Sequence, residues 1–378
     1  MDTRLSQEQQ AIQDMATRFT AEEITPHAAR WDAEHLCPRE TIRKAGELGF
    51  GGIYVAEEDG GIGLSRIEAA LIMEAMAYGC PSTSAFISIH NMATWMIARF
   101  GGDDVKKRLL PRLISMEHLA SYCLTEPGSG SDAAALKTRA VRDGEHYVLN
   151  GSKAFISGGG ENEIYVCMVR TGDAGHDGIS CIAVEKDTPG LSFGAPERKM
   201  GWHSQPTAMV IFEDARVPLA NLIGEEGQGF RIAMMGLDGG RLNIGACSLG
   251  GAQRCLDDTV AYVQERRQFG RSISEFQNTQ FMLADMATEL ESARALLYKA
   301  AQKVSDDAPD KTRFAAMAKL KATEAGSRIA NDALQLHGGY GYLMDYPVER
   351  FVRDLRVHEI LEGTSQVMKM VIGRALLK

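Results

Sequence analysis

The stretch IYVCMVRTGDAGHDGISCIAV, residues 164–184, decides the fold. Two β-rich runs, IYVCMV (164–169) and ISCIAV (179–184), flank a turn rich in Gly and Asp. Upstream, EHYVL (145–149) alternates between Asp143-Gly144 and Asn150-Gly151, both hairpin-turn dipeptides. Downstream, AMVIF (208–212) supplies another such run. No strand–helix alternation links them, so a doubly wound sheet is not expected. The reading is a compact antiparallel β domain over 119–230.

Outward from this block the texture becomes helical on both sides. In 1–118, Leu5, Ile12, Met15 and Phe19 fall at helical spacing, as do Ile67, Leu71, Ala75 and Tyr78. Gly60-Gly61, Cys80-Pro81 and Gly101-Gly102 separate the pieces. In 231–378, Leu283, Ala287, Leu290, Leu297 and Val304 mark one face of a long helix. A second helical run covers about 311–336, and a short one, 364–377, closes the sequence. Long helices with short connections predict an antiparallel bundle. The expected fold class is a multi-domain α+β chain in the order α–β–α.

Composition agrees and excludes several functions. At about 150 residues per domain, 378 residues suggest two or three domains. Apolar residues make up 44% and charged residues 24%, which excludes a disordered or collagenous chain. Lys+Arg 41 against Asp+Glu 50 leaves a net charge of −9, a poor match to nucleic acid without a basic run. An anionic ligand would instead need local arginines. The cysteines at 37, 80, 123, 167, 181, 247 and 255 are scattered and never spaced as CxxC, so a reducing compartment is expected, without disulfides or bound metal. The longest stretch free of Asp, Glu, Lys and Arg, 75–98, is broken by GCPSTS and carries His90-Asn91, so no membrane insertion is expected. Met1 to Arg18 is charged and amphipathic rather than apolar, so a signal peptide is not expected.

Three stretches carry chemistry. YCLTEPGSGSD (122–132) is a Gly/Ser loop whose N–H groups and hydroxyls suit a phosphate or a polar ring edge, although an ordinary turn reads the same way. It matches neither GxGxxG nor GxxxxGK[ST]. LQLHGGYGY (334–342) places paired glycines after a helix, which usually only cap it. HEILEGTSQ (358–366) sets Glu362 just before the last helix, with Thr364 or Ser365 as its N-cap. A lone Glu there is ordinarily a surface charge.

The ordered set is more specific than its parts. YCLTEPGSGSD, AFISG (154–158), GLDGGR (236–241), RRQFG (266–270), QLHGGYGY (335–342) and LEGTSQ (361–366) together resemble the acyl-CoA dehydrogenase family, over essentially the whole chain. The resemblance implies FAD as cofactor. Tyr122, Leu124, Thr125 and Ser131 would wrap the flavin, with Phe155, Ile156 and Ser157 covering its other side. Many members have Trp where Phe155 stands. Arg266, Phe276 and Gln277 would hold the diphosphate region across a subunit boundary. Gln335, Leu336, His337, Gly338 and Gly339 would serve the adenine side, and Thr364, Ser365 and Gln366 would also touch FAD. A flavin shared between chains implies an obligate oligomer, usually a homotetramer. Ser131, Asp238, Arg241, Leu361, Gly363 and Arg374 match acyl-CoA contacts, although Asp238 and Arg241 alone would read as a helix-surface ion pair.

The resemblance also implies the reaction. A carboxylate removes the α-proton of an acyl thioester while the β-hydrogen leaves as hydride to the flavin. Some members carry this base just before the GLDGGR arginine, where Gly240 stands here; others carry it in the EGT motif, which makes Glu362 the expected base. Burial should raise its pKa. Leu361 stands where straight-chain members often have Tyr. With SIHNMATWMI (88–97), LNGSKAFISG (149–158) and GWHSQPT (201–207), it points to a short branched substrate, isobutyryl-CoA, giving methacrylyl-CoA in valine breakdown. A short straight-chain or 2-methylbutyryl substrate is the alternative. Electron-transferring flavoprotein is the implied acceptor. An acyl-CoA oxidase would be expected to run much longer, and a non-enzymatic scaffold would be expected to lack the base or the flavin contacts. A bacterial cytoplasm is expected, with a processed mitochondrial matrix form as the alternative.

Overall fold

The computed structural model describes residues 5–377. Six helices come first: α1 (Gln7–Phe19), α2 (Ala28–Glu34), α3 (Arg39–Glu47), α4 (Arg66–Gly79), α5 (Pro81–Phe100) and α6 (Asp103–Ile114). Ser6 and Ser65 close capping boxes on α1 and α4, satisfying backbone N–H groups that the first turn leaves without partners. The uncharged 75–98 stretch is broken as expected. Cys80 is extended, and Pro81 opens α5, where its missing N–H costs nothing.

Eight strands follow: β1 (Ala120–Cys123), β2 (Arg139–Asp143), β3 (His146–Ser157), β4 (Ile164–Arg170), β5 (Ile179–Glu185), β6 (Leu191–Phe193), β7 (Thr207–Pro218) and β8 (Leu222–Ile223). They form one sheet in the order β6-β7-β3-β2-β4-β5-β8, with β1 also on β4. Pairing is mostly antiparallel, but β1 runs parallel to β4, and β2 meets β4 in parallel at Arg139 and Arg170. The run IYVCMV is apolar throughout because β4 is covered on both faces. Ile164, Val166 and Met168 pack towards Met92, Met96, Leu109 and Leu113, while Tyr165, Cys167 and Val169 join Tyr147, Leu149 and Phe212 on the other side.

Of the two expected hairpin dipeptides, only Asp143-Gly144 makes the turn, between β2 and β3. Asn150-Gly151 lies inside β3, at a slip in its register with β7 between Leu149 and Gly151. Gly151 has φ +139, and a Cβ there would fall 2.7 Å from Thr138 Cα, so its glycine serves a close backbone approach rather than a chain reversal.

The chain then returns to helices: α7 (Gly229–Glu265), a small hairpin of β9 (Arg267–Gln268) and β10 (Arg271–Ser272), α8 (Gln277–Ser305), α9 (Lys311–His337), α10 (Val348–Arg356) and α11 (Ser365–Leu376). Helix α10 was not foreseen. The two helical segments share one continuous core, in which Phe19, Ile72 and Met73 lie with Leu249, Leu297, Ile329 and Phe351. Fully burying each such side chain stabilises by roughly 1.5–3 kcal/mol. Helix α7 runs through this core and presents residues 236–241 to the turn that carries Glu362.

Candidate active site

After α10 the backbone makes a 3₁₀ turn at Val357–Glu359 and then two consecutive left-handed residues, Glu362 (φ 56) and Gly363 (φ 92). Thr364 caps α11 by accepting from the Val367 N–H at 3.2 Å. A left-handed non-glycine costs of order 1–3 kcal/mol and persists only where its surroundings enforce it. Here two cations do so. Lys319 Nζ donates to the Gly363 carbonyl at 2.8 Å, and Arg241 Nε to the Glu362 carbonyl at 3.4 Å.

The Glu362 side chain lies against Gly240 on α7. A Cβ at Gly240 would fall 2.3 Å from Oε2 and 2.7 Å from Oε1, so the carboxylate occupies the volume that any other residue would fill. Although the residue as a whole is only half-buried, Oε2 is fully covered and has no hydrogen-bond partner. Burial pushes the carboxyl up to about 7, against the opposing pull of Arg241 and Lys319. A carboxylate kept from solvation and left without a donor is a stronger base than a free one.

Asp238 and Arg241 are not a surface pair. Both are buried, Arg241 Nη1 donates to Asp238 Oδ1 at 2.9 Å, and Thr312 Oγ1 donates to Asp238 Oδ2 at 2.6 Å. With both carboxylate oxygens engaged, Asp238 holds Arg241 beside the Glu362 turn. The neighbouring Gly239 makes room for another arginine that the sequence did not flag. The Arg66 guanidinium lies 3.6 Å from the Tyr54 ring centroid, and a Cβ on Gly239 would meet its Nη1 at 2.4 Å. That Nη1 is covered and has no partner.

The middle domain supplies a second group. The Ala154 N–H donates to the Thr125 carbonyl at 2.8 Å, and Ser121 Oγ to the Ser157 carbonyl at 2.7 Å. The 122–131 loop and residues 154–157 are thereby brought together. Lys153, with no exposed surface, donates to the Leu124 carbonyl at 3.2 Å and to Glu126 at 2.7 Å. Glu126 in turn accepts from the N–H groups of Lys137 and Thr138. This buried pair fixes the loop and went unnoticed in the sequence. Phe155 is left-handed (φ 58) and two-thirds exposed, at the register slip between Lys153 and Ile156. The strained backbone aims its ring out of the sheet while Ile156 stays buried and Ser157 half-buried. Ser131 is exposed and Leu124 buried. The Tyr122 hydroxyl is covered without a partner, and burial, reinforced by the Glu362 charge, pushes it well above the usual phenol range.

A third group forms around the α7–α8 connection. Arg266 follows α7 and lies 5.2 Å from the Tyr340 ring centroid, next to the 335–339 stretch. Tyr262 stacks on His337 with centroids 4.3 Å apart, and its hydroxyl donates to the His337 carbonyl. His337 is buried, with Nδ1 bonded to the Ala333 carbonyl at 2.8 Å, so its side chain is not open to a ligand. Gln277, Gln335, Gly338 and Gly339 are exposed, Leu336 and Phe276 half-buried. At the far end, Ser365 is buried, while Gln366 and Arg374 lie on the exposed side of α11. Leu361 is partly buried against the helical core.

Comparison with known proteins identifies the family. Models of the acyl-CoA dehydrogenase N-terminal, middle and C-terminal domains match residues 6–117, 121–215 and 227–377. The chain belongs to the acyl-CoA dehydrogenase family. It is 56% identical over 375 residues to the mitochondrial isobutyryl-CoA dehydrogenase of Dictyostelium discoideum, covering 99% of this chain and 90% of that protein. It is 44% identical over 381 residues to acryloyl-CoA reductase (NADH) of Anaerotignum propionicum, covering 100% and 96%. Its fold superposes on butyryl-CoA dehydrogenase from Megasphaera elsdenii with a TM-score of 0.97, at 38% identity over 100% of both chains.

This acyl-CoA dehydrogenase is thus an oxidoreductase acting on CH–CH bonds, with FAD as cofactor. Its residues fit that group. Added Cβ atoms at Gly128, Gly130, Gly338 and Gly339 would meet nothing within 4 Å, so both glycine stretches face open space. Phe155 presents an exposed ring, and Tyr122 a covered hydroxyl without a partner. Among the described residues no helix is long and apolar enough to cross a membrane.

Proposed function

We propose that this acyl-CoA dehydrogenase converts isobutyryl-CoA to methacrylyl-CoA, with Glu362 as the base. One observation carries the catalytic part of this reading: the covered, partnerless Oε2 of Glu362, on a carboxyl held at about 7. The α-C–H bond breaks heterolytically and its proton goes to Glu362. FAD, when bound, supplies the acceptor for the hydride that leaves the β-carbon. The backbone N–H of Glu362 donates to the thioester oxygen, where enolate charge develops and such donors matter most. Arg241 and Lys319 hold that turn, and Tyr122 and Phe155 form the flavin-side wall. Electron-transferring flavoprotein is the proposed acceptor of the electrons.

The branched substrate rests on the 56% relative and on Leu361 beside the base. The acryloyl-CoA and butyryl-CoA names of the other two similar proteins favour a short straight chain as second reading. Comparing isobutyryl-, butyryl-, 2-methylbutyryl- and isovaleryl-CoA with an artificial electron acceptor decides between them. Leu361→Tyr adds a ring beside the α-carbon, where an α-methyl branch needs room. A methylene-sized contact is worth about 1–3 kcal/mol, so the kcat/KM ratio of isobutyryl over butyryl should fall at least roughly tenfold. Equal losses on both substrates would make Leu361 ordinary packing.

The oligomer is part of the same proposal. Phe269 (93% exposed), Tyr342 (81%) and Met344 (69%) cluster in sequence with Arg266 and the 335–339 stretch, an apolar surface suited to a second subunit sharing the flavin. Purified protein should be yellow, with about one FAD per chain. A ligand that binds only the assembled form stabilises it by mass action, so sedimentation should show holoprotein as a tetramer and apoprotein dissociating more readily. A fully active holo monomer would contradict the shared site.

A further inference from the structure

We propose that Lys319 is the positioning residue of the base: its buried ammonium both clamps the Glu362–Gly363 turn and favours the ionised form of the Glu362 carboxyl. The inference rests on Glu362 being the base. Lys319 lies on α9 with no exposed surface, among Ala315, Ala318 and Ala322. Lysines are almost never buried completely without a carboxylate partner. Yet the hydrogen bond that Lys319 Nζ makes goes to a neutral acceptor, the Gly363 carbonyl, at 2.8 Å. That carbonyl ends two consecutive left-handed residues, Glu362 and Gly363. Lysine and strained turn therefore hold each other in place.

The charges facing this ammonium come from several elements. Glu362 and Glu359 on the turn and Glu324 on α9 attract it, and Arg241 on α7 opposes it. His358 also faces it, buried and neutral, bonded through Nδ1 to Ser248 Oγ at 2.7 Å. Burial brings Lys319 down to about 8, so it is still mostly protonated at neutral pH. The Glu362 carboxyl is faced by Arg241 and Lys319 and by the Tyr54 and Tyr122 phenols. Of the two cations, Arg241 is already paired with Asp238, which leaves Lys319 as the cation without a carboxylate hydrogen bond.

The test is the pH profile of kcat/KM for the FAD-loaded Lys319→Met enzyme, with bound flavin and thermal midpoint measured alongside. Methionine matches the side chain in length but removes both donor and charge. Losing a nearby opposite charge raises a carboxyl by about one unit or more, so the acidic limb should move up by about one pH unit. Rates below the limb should fall about tenfold and recover in alkali. Lys319→Arg, which keeps the charge, should return the limb towards its wild-type position even if its bulk lowers the plateau. If the methionine variant yields no holoenzyme, Lys319→Gln, which keeps an N–H without the charge, must show the same displaced limb. An acidic limb at its wild-type position in a flavin-loaded Met or Gln variant overturns the proposal and leaves Lys319 a core residue. Glu362→Gln, assayed in parallel, separates the two readings. If it stays active the base assignment itself fails, whereas an inactive Glu362→Gln with an unshifted Lys319 variant removes only the present inference.

Discussion

Glu362→Gln is expected to retain FAD and bind acyl-CoA but to lose at least about 10²–10⁴-fold in turnover, the usual cost of removing a positioned base. The loss should lie at the high end, because the α-carbon is a weak acid and Gly240, the alternative position for the base, has no side chain. The amide is nearly isosteric, so the loss is chemical rather than steric. Stability should move the other way. The folded carboxyl titrates at about 7, above the ordinary value of about 4.3 for an unfolded Glu. As pH rises between these values the unfolded chain gives up a proton that the folded one keeps, so this group costs wild-type stability progressively, and the cost levels off above about 7. Glutamine removes that cost. Its thermal midpoint relative to wild type should therefore be more favourable at pH 8 than at pH 4. Near-normal flavin reduction by isobutyryl-CoA in this variant would move the base elsewhere.

Gly240→Ala should be the next most damaging change, although it adds a single methyl group. The new Cβ would lie 2.3 Å from Glu362 Oε2, well inside contact distance, and the carboxylate must swing away. A displacement of about 1 Å at the reacting group costs on the order of 10²-fold. The fold itself should not suffer, since alanine is favoured over glycine in a helix by about 1 kcal/mol. The signature is a stable, yellow protein with a collapsed kcat. Full activity would mean that the carboxylate tolerates repositioning and that Gly240 is not what seats it.

Much of this was legible from sequence because the relevant signals are local. The six-residue β4 run, the Cys80-Pro81 break and the cap before α11 each depend on a few adjacent residues. Glu362 was found by its EGT motif, and Gly240 by its missing side chain. What escaped was set by distant partners. Asn150-Gly151 carries a turn signature, but β7 on one side and Thr138 on the other hold it in a strand. Asp238 and Arg241 sit three apart, as surface pairs do, yet α9 covers them through Thr312. Lys319 and Lys153 are residues that composition assigns to solvent. The signal available for Lys319 was its place on the alanine face of α9.

The common core of the two helical segments bears on how the chain is made. Helix α4, whose Ile72 and Met73 lie in this core, packs against α7 and α8, well over a hundred residues downstream. A ribosome delivering the chain from its first residue must therefore release the opening helices, with their apolar faces bare, long before Leu249 or Phe351 emerges. Contacts so far apart in sequence form slowly, and the waiting surface invites aggregation. Vectorial synthesis should leave this protein dependent on holding chaperones until its last helices appear, and a chain truncated before α9 should precipitate rather than accumulate as a folded fragment.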